Sequence, residues 1–293
     1  MNVGLFGTFF SESFDYSIQE LIIQLEKKKC NLYLYESFAR FLKKKVNFST
    51  KPVIFSHHEE IRDKLDCLFS IGGDGTLLNT IALIKNSGIP VLGINTGRLG
   101  FLASISKEDI LTAIDDVLQK KYILEKRSLL MLDNAGDLFG DLNYALNELT
   151  VMKKDTSSMI TINTFVNGEY LNSYWADGLI VATPTGSTAY SLSCGGPIIT
   201  PESENFIITP ISSHNLTVRP IVIPDRYSIM LNVSDDRNSR FLVSLDSRTQ
   251  TIDNSKELII KKADFKINLV KLHNEKFFST IRNKLMWGID KRN

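Results

Sequence analysis

The chain has 293 residues, 43% of them hydrophobic and 23% charged, with a formal net charge of +1. That composition is ordinary for a globular protein with a sizeable core, and the near-neutral balance excludes an electrostatic case for nucleic acid or a membrane surface. Three scattered cysteines without any CxxC spacing exclude a disulfide framework or a zinc site, and no apolar run reaches the roughly 18 residues of a membrane span.

In chain order, Val3–Phe6 reads as a short strand. Apolar residues at Ile18, Leu21, Ile22 and Leu25 predict an amphipathic helix over 15–28. A strand is expected at 31–35 and a helix at 38–45. Cys67–Ile71 is a buried strand that runs into Gly72-Gly73-Asp74-Gly75, and helical spacing resumes over 76–84. Residues 89–94 form another strand. Ser106, with Asp109 three residues later, predicts the N-cap of a helix over 106–118. This strand–helix rhythm argues for a parallel sheet with crossover helices. The character changes after Tyr122, and short β-rich runs follow at 145–152, 160–167, 178–182, 206–211, 227–233, 241–245, 257–262 and 267–272. Asn167-Gly168 is a tight-hairpin signal. A short helix is expected over 187–194 and another in the tail, 274–287. The lysine runs at 27–29 and 43–45 and the histidines His57, His58 and His273 read as surface.

Three clusters carry chemistry. In Gly72-Gly73-Asp74-Gly75-Thr76, glycines let a ligand approach the backbone and take up positive φ, and the free N–H groups at the following helix start suit phosphates. A carboxylate in such a loop repels phosphate unless it serves a hydroxyl or a metal ion, although Asp74 also suits a plain tight turn. The strand Asp177–Ala182 runs into Thr183-Pro184-Thr185-Gly186-Ser187-Thr188, whose hydroxyls can donate to ribose or phosphate oxygens. Ser187 or Thr188 can equally serve as an N-cap. Asn147-Glu148 interrupts the apolar strand 145–152; neighbouring side chains there point to opposite faces, so one of the two faces inward or lies at an edge. The P-loop and protein-kinase signatures are absent, and Gly93, Gly97 and Gly100 do not have the dinucleotide GxGxxG spacing.

Together these segments resemble the NAD kinase family. The likeness runs through 72–78, the GINTGRLGFL of 93–102, Asn147-Glu148, 177–197, Ser213-His214-Asn215-Leu216, Arg219-Pro220 and Lys284-Leu285-Met286-Trp287-Gly288. The GGDGT loop alone is shared with diacylglycerol-type lipid kinases and phosphofructokinases, whereas its combination with TPTGSTAYSLS is specific. The resemblance implies a Rossmann-like parallel α/β domain over 1–122, onto which 274–293 packs back, and a β-rich NAD-binding domain over 123–273. It implies transfer of the γ-phosphoryl of ATP to the ribose 2'-hydroxyl of NAD, with Asp74 as general base. Asp74, Gly75, Phe101, Asn147, Glu148, Asp177, Thr188, Ala189, Tyr190, Ser193 and His214 then contact NAD. Gly72, Gly73, Gly75 and Thr76 take the ATP phosphates, and Mg²⁺ comes with ATP rather than on a protein metal site. A cytoplasmic homotetramer, with NAD between the domains, is expected. A lone histidine such as His214 can also be structural. Where the family often has Asp-Gly-Gln, this chain has Asp246-Ser247-Arg248, and a turn is expected there. The rivals are a lipid kinase of the diacylglycerol type and a non-catalytic pyridine-nucleotide sensor.

Overall fold

The structure is a computed structural model that describes residues 1–97, 100–134, 136, 138–154, 159–234, 240–272 and 276–287. In chain order its elements are β1 (Asn2–Gly7), α1 (Asp15–Lys27), β2 (Asn31–Tyr35), α2 (Glu36–Leu42), β3 (Val53–Phe55), β4 (Cys67–Ile71), α3 (Asp74–Ile84), β5 (Val91–Ile94) and α4 (Ile110–Leu118). There follow β6 (Tyr122–Leu132), β7 (Tyr144–Ala145), β8 (Glu148–Lys153), β9 (Ile160–Val166), β10 (Glu169–Ala176), β11 (Gly178–Ala182), α5 (Tyr190–Ser193), β12 (Asn205–Ile211) and β13 (Ile221–Pro224). The chain ends with β14 (Ile229–Ser234), β15 (Arg240–Leu245), β16 (Arg248–Asp253), β17 (Leu258–Leu272) and α6 (Phe277–Leu285). Two compact units result: Met1–Lys126 with Ile267–Asn293, and Arg127–Lys266.

The first unit is a parallel sheet in the order β5-β4-β1-β2-β3, joined at β5 by the end of β17 through Leu269 and Val91. The strand order reverses between β1 and β4, and in open α/β sheets ligands gather at the carboxyl ends of the strands beside such a switch point. The glycine loop follows β4 there. All five residues of β4 are buried, as expected of a strand covered on both faces. Ile18, Leu21, Ile22 and Leu25 of α1 form one core with Ile110, Ala113, Ile114 and Val117 of α4 and with Val3, Leu5 and Phe69 of the sheet. Burying each such side chain contributes roughly 1.5–3 kcal/mol.

In the second unit, β8 to β16 pair antiparallel with their neighbours. One set is β10-β9-β14 with the first part of β17, to which β6 and β7 are added. The other is the sheet β13-β12-β11-β8-β15-β16. Alternate residues of β9, β14 and β15 are buried and share a core with Leu149, Val151, Leu179 and Val181 of the second sheet. The Asn167-Gly168 turn has φ of 50° and 81°, the left-handed pair that a two-residue hairpin needs.

Several expectations change. The helix after Ser106 starts only at Ile110: the Ser106 hydroxyl bonds the Asp109 side chain at 2.7 Å, closing a turn instead of capping the helix. The runs at 257–262 and 267–272 are one strand, β17. The run at 145–152 is broken at Leu146 and Asn147, and the helix at 187–194 is a 3-10 turn (Gly186–Thr188) followed by the short α5. His58 is buried, with Nδ1 3.1 Å from the Leu83 carbonyl, rather than at the surface. Lys45 is not a freely solvated lysine, because it pairs with Asp15 at 2.6 Å and lies over the rings of Phe10 and Phe41. The tail helix is described from Phe277; Arg98, Leu99, His273, Asn274 and Gly288 lie outside the described residues.

Candidate active site

In the first unit, Gly73 caps α3 and Asp74 is the helix's first residue. An acidic residue is favoured there by the helix dipole. Its carboxylate is held by a second loop: Oδ2 accepts from the Phe101 N–H at 2.8 Å, and Oδ1 from Leu102 at 3.1 Å and Ala103 at 2.9 Å. A carboxylate has about four acceptor positions, so one on Oδ2 stays free for a hydroxyl. Gly100 is required for this approach, since a Cβ there would overlap the Asp74 carboxylate.

The expected positive φ is found at Gly72, at +157°, and not at Gly73, at −95°. Gly72 also supplies room, because a Cβ would strike Thr76, whose buried hydroxyl lies 3.0 Å from that of Thr8. Beside Gly73 and Gly75 there is open space, which suits the approach of a ligand to the backbone. Phe101 is half-buried, and Lys284 of α6 lies over its ring at 5.4 Å. A pocket of about 300 Å³ in the same unit is lined by Ser13, Asn95, Thr96, Gly97 and Lys107, among others.

In the second unit, Asn147 and Glu148 are brought together with the hydroxyl-rich loop. Thr183 N–H donates to the Asn147 carbonyl at 2.8 Å, and Gly186 packs so tightly on that carbonyl that a Cβ would overlap it. The buried Arg127 donates to the Thr185 hydroxyl at 3.1 Å. Asn147 Oδ1 and Glu148 Oε2 are buried with no hydrogen-bond partner among the described residues. Burial pushes the Glu148 carboxyl up to about 8, the Asp246 charge adds to this, and the Tyr190 N–H works against it. Burial raises the Tyr190 hydroxyl, with the Cys194, Asp177 and Glu148 charges adding to it, and burial followed by the Glu148 charge raises the Cys194 thiol.

The break at Asn147 has an identifiable cause. Asp246, its side chain 6% exposed, accepts the N–H groups of Leu146 at 2.9 Å, Asn147 at 2.8 Å and Glu148 at 3.3 Å. The turn expected at Asp246-Ser247 is present, with Asp246 at φ 52°. It does more than shape a loop: Arg248 begins β16 and donates to the carbonyls of Leu142 and Tyr144. Sequence reasoning gave Asp246 no role, since a lone Asp in a turn is usually exposed.

Asp177 pairs with Lys153 at 2.6 Å. Thr188 uses its hydroxyl on the Thr185 carbonyl at 3.2 Å, Ala189 is half-buried, and Tyr190 and Ser193 are exposed. His214 is exposed, its ring 4.3 Å from that of Trp175. Among the described residues no three His, Cys, Asp or Glu side chains converge as a metal site.

The chain matches two family models: the ATP-NAD kinase N-terminal domain over 16–122 and the ATP-NAD kinase C-terminal domain over 146–272. It is 50% identical to the NAD kinase of Flavobacterium psychrophilum over 295 residues and 44% identical to that of Bacteroides fragilis over 292, in each case across 100% of both chains. Among solved structures, an Archaeoglobus fulgidus NAD kinase in complex with ATP shares 26% identity and a TM-score of 0.75, covering 98% of this chain and 99% of that one. Yeast NADH kinase complexed with NADH has a TM-score of 0.86 at 23% identity, covering 99% and 89%, a likeness of fold.

Proposed function

This chain belongs to the NAD kinase family, and we propose that Asp74 is the general base that prepares the ribose 2'-hydroxyl of NAD for attack on ATP. Its activity is NAD kinase activity, the phosphoryl transfer from ATP that makes NADP. The diacylglycerol-type alternative rests on the glycine loop alone, and the relatives found are NAD kinases.

The supporting observation is the Asp74 carboxylate, fixed by three N–H donors and left with one acceptor position beside two open glycines. A ribose hydroxyl is a poor nucleophile, and phosphoryl transfer through a loose transition state depends on positioning and charge neutralisation. The 2'-oxygen forms a bond to the γ-phosphorus while the bond from that phosphorus to the bridging oxygen of ADP breaks. The hydroxyl proton passes to Asp74, and ADP leaves. Positioned base catalysis of this kind contributes roughly 10²–10⁴-fold.

In this reading Gly72, Gly73, Gly75 and Thr76 form the phosphate loop, with Gly73 and Gly75 leaving the space. Asn147 and Glu148 take the adenosine part of NAD through their unpaired oxygens. Thr188, Ala189, Tyr190 and Ser193 contact adenine, ribose and the nicotinamide side. Asp177 serves the nicotinamide end, and Phe101 and His214 lie near the nucleotide. Mg²⁺ arrives as the counter-ion of the ATP phosphates. A homotetramer in the cytoplasm completes the proposal; no described helix is long and apolar enough to cross a membrane. An enzymatic cycling assay with ATP, NAD and Mg²⁺ tests it. NADP that accumulates only when both nucleotides are present is the expected result, and none at all overturns the reading.

A further inference from the structure

The C-terminal helix carries a cation to the Asp74 loop. Lys284 Nζ lies 5.4 Å from the centroid of the Phe101 ring, and the backbone N–H of that same Phe101 holds Asp74 Oδ2. Lys284 is half-buried and sits in the last turn of α6, where a positive charge is favoured. The helix stops one residue later, after Leu285: Met286 takes φ 53°, and the Trp287 N–H returns to the Arg282 carbonyl at 3.3 Å. Among the described residues the ammonium makes no ion pair, Asp74 included. Burial lowers the Lys284 ammonium, and the Asp74 charge, felt across the intervening space, opposes that shift.

Keeping this ammonium partly out of water costs free energy that an anion brought beside it would offset. The loop beneath it has one charge too many for its task. Asp74 is an anion placed where a triphosphate must come, and the space beside Gly73 and Gly75 is open. In the transition state negative charge spreads over the oxygens of the phosphoryl group in flight, and fixed cations are what stabilise it. A lysine ammonium, a compact charge with three donors, suits a phosphate oxygen.

We propose that Lys284 is a binding residue for the terminal phosphate of ATP, donating from Nζ to an oxygen of the group that is transferred. The proposal deepens the NAD kinase reading and rests on Asp74 being the base. Phe101 acts as the platform: its ring orients the lysine and its N–H orients the carboxylate.

The test compares Lys284→Met and Lys284→Arg with the wild-type full chain. Lys284→Met keeps the apolar stem over Phe101 and removes the charge. It should weaken MgATP binding in calorimetry about tenfold or more, the loss of one charged hydrogen bond. It should raise the KM for ATP and lower kcat, while MgADP and NAD binding stay within about twofold and the melting temperature is unchanged. Lys284→Arg should recover most of the lost ATP affinity. Unaltered MgATP binding in Lys284→Met overturns the proposal. So does a parallel loss of ATP, ADP and NAD binding with a lowered melting temperature, which would mark Lys284 as a tether for α6. The calorimetry reads ATP alone, so it judges the lysine even if the wild-type chain made no NADP.

Discussion

Gly100 carries the sharpest structural constraint at the level of single residues. Its missing side chain lets the 100–103 backbone close on Asp74, and a methyl group there would occupy the carboxylate's place. Gly100→Ala should therefore keep a folded chain by circular dichroism but displace Asp74, and a misplacement of about 1 Å costs on the order of 10²-fold in rate. Near wild-type turnover in this variant would show that the loop can move aside. Glu148 gives a prediction in pH. Its carboxyl sits near 4.5 in the reference state and is pushed up to about 8 in the fold, first by burial and then by Asp246. The folded chain binds this proton more tightly than the unfolded one. Its contribution is fully present below about pH 4.5 and is lost as pH rises through about 8, with a slope of at most about 1.4 kcal/mol per pH unit. Glu148→Gln should flatten the fall in denaturation midpoint between pH 5 and 8, and an unchanged slope would assign that fall to other groups.

The bend between β7 and β8 shows what an element can hide from its sequence. Ala145-Leu146-Asn147-Glu148-Leu149 reads as one strand, because apolar neighbours flank a polar pair and strand propensity tolerates both. The strand breaks because Asp246, about a hundred residues away, captures three consecutive N–H groups. Asp246→Asn turns one acceptor into a donor facing those N–H groups. The expected cost is roughly 1–3 kcal/mol in chemical denaturation, with NAD affinity reduced severalfold in calorimetry. No change in either would show that the bend holds itself. By contrast, α1, β2, β4 and β11 were legible from periodicity and apolar runs, because local pattern and burial agree there. The Asp74 loop was legible as a carboxylate among glycines after a strand. What stayed hidden was long-range: the N–H groups of 101–103 on Asp74, Lys284 over Phe101, and the burial of His58 beside Leu83. Pairings of residues this far apart leave no periodic trace.

Across the whole molecule, each of the two units closes its own core, one parallel α/β and one antiparallel β. The proposed ligand contacts are divided between them, so hydrogen exchange can read the units separately. ATP alone should protect residues 72–77 and leave 183–193 unchanged. NAD should protect 146–149 and 183–193 in addition to the Asp74 loop. NAD binding that left 146–149 and 183–193 exchanging as before would remove Asn147 and Glu148 from the adenosine site. The proposed phosphoryl transfer depends on what Asp74 does. The most direct measurement is the turnover of Asp74→Asn, taken on a preparation whose NAD affinity is determined at the same time. Retained NAD binding with turnover reduced about a hundredfold or more is the predicted result. Turnover at the wild-type rate would contradict it.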